Sequence, residues 1–492
     1  MIVLERHDGL DLARLRRIAR DGEALAVAPA LLDGVDAARG RMLAHLRSGA
    51  GAYGVTTGVG YLRGMRIGPD EQVAFGRALL RRGAGHGPAL PAEAVRGALL
   101  LRLTGFLSGA VGVTAALCRF LVDRLNDGFT PWVPARGTAS AGEVVALTHL
   151  FQTLAGDGHV LEDGRRVPAR EALAARGVAP YEPDLKEGIA LINGAPLAPA
   201  LAACLAARCA RLLTHATLAG ALTATLAGAS SRPYARRIGL LKADPGQRRV
   251  HDELAALLGG AERWDDAQQG PVSLRVLPQV HGAVHDLLDH VEAQLEREVR
   301  AVTDSPLFLA AEGPEPEGFY PSGNFHAQAL AFLLDALAVA VAQVANLSER
   351  RLHRLLDARF SSLPEQLAVE GGGRTGLVFL HKSVVGLCVE ARLLAAPAGV
   401  HQLDTSSGQE DVQAHALLAA DKLDRALDAA ELVVASELVA DRQAHHLGPD
   451  RIAPPLADVA QRLAALVAPV TEERVLGDDV ERVRDALRAG ML

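Results

Sequence analysis

The sequence predicts a mainly α protein, a bundle of long helical rods, and three observations carry that prediction. Ala327–Phe360 contains no glycine or proline over about 34 positions, which makes a rod of about 50 Å at 1.5 Å per residue. Glu410–His446 repeats the pattern. Leu99–Leu117 and Pro196–Ala229 are apolar nearly throughout, yet Arg102 interrupts the first and Arg208, Arg211 and His215 the second. Both read as core helices of a large bundle, not as membrane spans. Rods longer than a small domain, with more than one apolar face, also predict an oligomer.

Composition agrees. The 492 residues are 49% hydrophobic and 22% charged, enough for an ample core. A net charge of −7 gives no electrostatic footprint for nucleic acid. Cys118, Cys204, Cys209 and Cys388 lie in apolar helical contexts without metal-ligand spacing. Buried thiols in a reducing cytoplasm are expected, with no metal site. The opening MIVLERHDGLDLARLRR is charged too early for a secretory signal.

Taken in order, Met1 to about Leu46 reads as a short strand followed by helix. Gly49–Gly64, GAGAYGVTTGVGYLRG, has no helical period and carries Tyr53 near its start. Such a loop either closes over a site or simply connects two elements. Helical patterns resume at Asp70–Arg82 and Ala92–Asn126, separated by GAGHGPALP. Val133–Leu150, VPARGTASAGEVVALTHL, is a loop of small residues feeding an apolar helix, with Glu143 placed to suit the positive end of that helix. Asp157–Pro180 has the alternation and DG turn of a hairpin. Asn193 and Gly194 sit in a break between apolar runs, where asparagine could be a helix cap. From Leu197 onward nearly everything is helix. The polar loops QQGPVSLRVLPQVHG, TDSPL, PSGNFHA and TSSGQED interrupt it. Two domains are expected: residues 1–200 with the Tyr53 and Val133–Leu150 loops, and residues 201–492 as the long-helix oligomerisation core.

These loops, in this order, resemble the histidine and aromatic amino acid ammonia-lyase family, which includes aminomutases. YGVTTGVG is similar to its tyrosine-loop motif, KEGIALINGA to its asparagine motif and SLRVLPQVHG to its arginine motif. TDSPL, SGNFH, LSERR, LDARFSSLPEQL and TSSGQED also have counterparts. The resemblance implies a homotetramer whose active sites each draw on three subunits. It also implies an electrophile, methylidene-imidazolone (MIO), made from an internal Ala-Ser-Gly. Position by position, Tyr53 matches the catalytic base and Asn193 a residue contacting the ring or substrate. Gln269 and Arg275 match as well, with the arginine clamping a substrate carboxylate. Phe325 and Glu410 match positions near the pocket.

Three departures follow from the residues. Aligned back from EVVALTHL, the triad position holds Ser140-Ala141-Gly142, whose middle residue has no hydroxyl to eliminate. A register shifted by one, Ala139-Ser140-Ala141, keeps a serine but loses the flexible glycine. Pro271-Val272 stands where the family has a second tyrosine, and Arg81 and Arg82 occupy the substrate-selecting pair, which would favour an acidic or strongly polar substrate. The expected function is therefore a lyase-family enzyme of specialised metabolism without a cofactor. It would use Tyr53 as base and Arg275 as anchor for elimination, dehydration or conjugate addition on a small carboxylate-bearing substrate. The alternatives are an MIO-dependent histidine or aromatic amino acid ammonia-lyase or aminomutase, with the ring at Ala139-Ser140-Ala141, and a silent homologue kept as a binding subunit.

Overall fold

The computed structural model describes residues 1–138, 140–260, 269–369 and 373–492. They form two compact units. One comprises Met1–Cys204, Glu292–Leu334 and Pro397–Asp421, the other Leu205–Val291, Asp335–Ala396 and Lys422–Leu492. The single cut near residue 200 expected from the sequence gives way to a discontinuous division. Hydrogen bonds explain it: Ser305 and Glu410, distant in sequence, are bonded to Asn193 and Ala141 of the first 200 residues.

In the first unit, helix α1 (Ala92–Leu107) is buried at every position from Ala94 onward. A helix buried all round needs no polar stripe, which is why it resembles a membrane span in the sequence. The strand Pro134–Arg136 pairs antiparallel with His86–Ala89 and leads through the small-residue loop into helix α2 (Val144–Phe151). The DG hairpin forms as expected. His159–Glu162 pairs with Arg165–Pro168, and Asp163 and Gly164 both take positive φ at the turn. Helix α3 (Glu187–Ile192) stops at Asn193, and the long helix α4 begins at Leu197 and runs to Leu226.

The other rods are α5 (Leu277–Glu298), α6 (Gln328–Leu356), α7 (Val378–Leu394) and α8 (Ala416–Leu447). In the second unit several of the long helices' charged residues are paired. Arg351 and Glu437, both fully buried, meet at 2.7 Å, and Ser348 and Thr223 donate to the same carboxylate. Arg208 reaches Asp424, Asp428 and Glu431 at 2.5–2.7 Å. Buried ions survive only when so compensated.

Two rods are shorter than the glycine- and proline-free runs predict. The α6 helix ends at Leu356 because the Asp357 side chain accepts from Arg359 N–H and starts a separate short helix. The α8 helix begins at Ala416, six residues after Glu410, with His415 just before it at positive φ. Glu410 itself is spent on loop hydrogen bonds.

Candidate active site

The small-residue loop is fixed at several points. Ser140 Oγ donates to the Gly142 carbonyl at 2.8 Å, and Ala141 N–H donates to Glu410 Oε2 at 3.0 Å. Glu143 N–H donates to the Gly194 carbonyl at 3.0 Å. Gly142 has φ +79°, and a Cβ there would stand 3.3 Å from Gly194 O and 3.4 Å from Phe325 Cβ. The conformation therefore favours glycine at 142, and the space beside it is tight.

Glu143 does not cap its own helix, as its sequence position implies. Its carboxylate accepts from Leu197 and Ala198 N–H, each at 2.6 Å, so it caps α4 instead. Burial pushes its pKa up to about 8, against the pull of those two donors and of Arg102. Nearby, Arg102 Nη2 meets Asp304 Oδ1 at 2.7 Å, and Lys186 Nζ meets Asp304 Oδ2 at 2.5 Å. All three are buried, with two cations on one carboxylate and Glu143 close enough to act on Arg102. Asn193 Nδ2 donates to Ser305 O at 2.6 Å. Its amide hydrogen thus holds the TDSPL loop.

Tyr53 Oη accepts from Gly60 N–H at 2.8 Å. The Tyr53 loop is folded on itself: Gly58 N–H reaches Met65 O, Ile67 N–H reaches Thr56 O, and Gly60–Leu62 forms a 3-10 turn. A Cβ on Gly60 would lie 3.2 Å from Ser406 Oγ, which itself donates to Glu410 Oε1 at 2.9 Å. Glu410 therefore stands between the Tyr53 loop and the loop carrying Ala141.

A cavity of about 280 Å³ opens beside Ser140 and Gly142, lined also by Phe325, His326, His415 and Asp421. The residues Glu143, Ala195, Ala327 and Ala416 on its wall lie at or within two residues of the starts of α2, α4, α6 and α8. Four helix N-termini thus face one small space. Their partial positive charges favour an anion or developing negative charge there.

The comparisons agree with this architecture. The family described as aromatic amino acid lyase matches residues 10–466. A histidine ammonia-lyase from Aromatoleum aromaticum is 37% identical, with the alignment covering 98% of this chain and 93% of that protein. The chain belongs to the aromatic amino acid lyase family. Among solved structures, tyrosine aminomutase from Streptomyces globisporus superposes with a TM-score of 0.91 at 28% identity, over 99% of this chain and 97% of that one. Ergothionase from Treponema denticola, described as an ergothioneine-degrading enzyme, shares the fold with a TM-score of 0.94 at 23% identity, over 100% and 99% of the two chains.

As a lyase-family enzyme the chain keeps some expected site residues together and separates others. Phe325, Ser140 and Gly142 line the cavity, and Glu410 is bonded directly to the loop behind it. Ala139 lies outside the described residues. Gln269 and Arg275 belong to the second unit, where they line a cavity of about 460 Å³ with Ser230 and Arg232. There Arg275 Nε donates to Gly270 O at 2.9 Å, which fixes the guanidinium. Arg81 is 70% exposed and paired with Asp157 at 2.8 Å, Arg82 lies over the Phe75 ring, and neither lines the cavity.

Sequence reasoning passed over Lys186, Asp304, His326 and His415, although the first three stand inside quoted motifs. His326 Nε2 is buried without a hydrogen-bond partner among the described residues. His149 was also missed. Its Nε2 accepts from Gly85 N–H at 3.0 Å, so α2 is joined to the GAGHG turn, and burial holds the ring below the usual histidine range.

Proposed function

We propose that this family member carries out an elimination or a conjugate addition on a small carboxylate-bearing substrate without forming the MIO ring. One observation supports the reading: Gly142, two residues after Ser140, has a left-handed φ that suits the glycine of a Ser140-Ala141-Gly142 register. Its central residue is alanine, and the ring's methylidene needs a hydroxyl lost from that position. In the shifted register the attacking nitrogen would be that of Ala141. That residue carries a Cβ, and its N–H is already given to Glu410. The residues present do not fit the group.

What remains can still do acid–base chemistry. Tyr53 would take a proton from the substrate carbon, its ring held through Gly60. The leaving group would depart with the electron pair of the breaking bond, and the helix N-termini around the cavity would stabilise the negative charge that develops. Without an electrophile to activate an amine, the substrate needs a better leaving group or a more acidic proton than an ordinary amino acid has. Arg275 would hold the substrate carboxylate, with Gln269 beside it, and Asn193 and Phe325 would position the reacting part. In a homotetramer the anchor need not come from the same chain as the base. Phe379, Val385, Val389 and Leu393, exposed along one face of α7, support such assembly. A role in cytoplasmic specialised metabolism is part of the same proposal.

The 37% identity to a histidine ammonia-lyase favours a second reading. In it, Ala139-Ser140-Ala141 cyclises and the enzyme is an ordinary ammonia-lyase or aminomutase. Intact mass of the purified protein separates the two. We expect the mass of the unmodified chain, and a deficit of two waters that disappears in Ser140→Ala would overturn the proposal. The base is tested separately: Tyr53→Phe should lower turnover by about 10²-fold or more. Unchanged turnover would remove Tyr53 from its role.

A further inference from the structure

We propose that Glu349, His353 and His381 form a binding site for one divalent first-row transition metal, with Zn²⁺ the best match. Glu349 and His353 are four residues apart on α6 and so share a face, while His381 comes from α7. One ligand atom from each lies within 4.8 Å of the other two. Donors around a tetrahedral zinc ion stand about 3.3 Å apart, so rotamer adjustment of roughly an ångström would close the set. Two imidazoles and one carboxylate suit zinc and its neighbours and supply too few oxygens for calcium or magnesium.

The local chemistry supports ligation. His353 Nδ1 is buried and has no hydrogen-bond partner among the described residues. The two imidazoles lie against each other with centroids 4.6 Å apart. Glu349 is buried, and its Oε1 accepts from His381 Nε2 at 2.8 Å. A metal would take the place of the proton in that bond and release it to solvent. Arg350 holds the other carboxylate oxygen but is half exposed, so it can turn outward as the ion arrives. Arg350 and Arg354, both cationic, weaken the site, and a micromolar affinity is expected. The sequence hides the set because His381 is distant in the chain and no motif spacing marks it.

The test uses full-length protein stripped with a chelator and titrated with Zn²⁺ alone by calorimetry, alongside thermal melting. One equivalent per chain and a raised melting temperature are expected. His353→Gln keeps the His381–Glu349 bond and should fold normally, yet lose that equivalent and the thermal shift. His381→Gln should do the same. The proposal is overturned if wild type binds no zinc up to millimolar concentration. It is equally overturned if His353→Gln binds the same number of ions with the same affinity, which would place the zinc on other histidines.

Discussion

The backbone N–H of Ala141 donates to Glu410 Oε2 at 3.0 Å, and this bond joins two loops 269 residues apart in the chain. Thr405 and Ser406 donate to the same carboxylate at 3.1 and 2.9 Å, so Glu410 gathers three donors. Glu410→Ala removes the acceptor while leaving those donors in place. The expected cost is about 1–3 kcal/mol, the usual penalty for stranded polar groups. Glu410→Gln keeps one carbonyl oxygen and should lose less. Melting temperatures of the two variants check this, and an unchanged value for Glu410→Ala would show that the loop is held by something else.

Glu143 gives a pH prediction. Burial raises its pKa in the folded protein to about 8, well above that of an ordinary glutamate. Between the two values the unfolded chain has released the proton and the folded protein retains it. Stability from this group is therefore fully present below the ordinary glutamate pKa. It declines as pH rises, by roughly 1.4 kcal/mol per pH unit, and levels off near pH 8. Glu143→Gln cannot titrate. Its melting temperature relative to wild type should improve steadily from about pH 5 to about pH 8. A constant difference over that range would show that the two N–H donors keep Glu143 ionised in the fold.

Asp304 is the only carboxylate bonded to both Lys186 and Arg102 among the described residues. Replacing it with asparagine leaves two buried cations facing each other. Breaking a buried pair in this way costs about 3–5 kcal/mol. Asp304→Asn should therefore give little soluble protein or a melting temperature several degrees lower. Wild-type behaviour would mean that the two cations do not depend on the Asp304 carboxylate.

The rods, the hairpin and the family were legible in the sequence because they rest on local signals: helical runs free of glycine and proline, a DG turn, and ordered loop motifs. What failed depended on partners far away in the chain. Glu410 reads as the start of a helix until Ala141 and Ser406 claim its carboxylate. Glu143 reads as a cap for α2 until the first N–H groups of α4 are found opposite it. The partner of Arg81 is equally hidden, since nothing in the sequence reveals that Asp157, on the approach to the hairpin, will pair with it. Periodicity sets which face of an element is apolar, but the partner of a polar side chain is a tertiary fact.

The register of the small-residue loop leads to the sharpest prediction. If Ala141 alone prevents ring formation, the double variant Ser140→Ala/Ala141→Ser restores Ala-Ser-Gly ahead of Glu143 without moving Gly142. The left-handed φ of +79° at Gly142 and the hydrogen bond from Glu143 to Gly194 are backbone features that the exchange leaves in place. The helix N-termini around the cavity stay as well. The double variant should then lose two waters from its intact mass and gain a near-ultraviolet absorption that wild type lacks. Ser140→Ala alone should show neither change, because it supplies no hydroxyl at position 141. A double variant with the mass of the unmodified chain would mean that the missing hydroxyl is not what blocks cyclisation. The argument from the residue at position 141 would then fall.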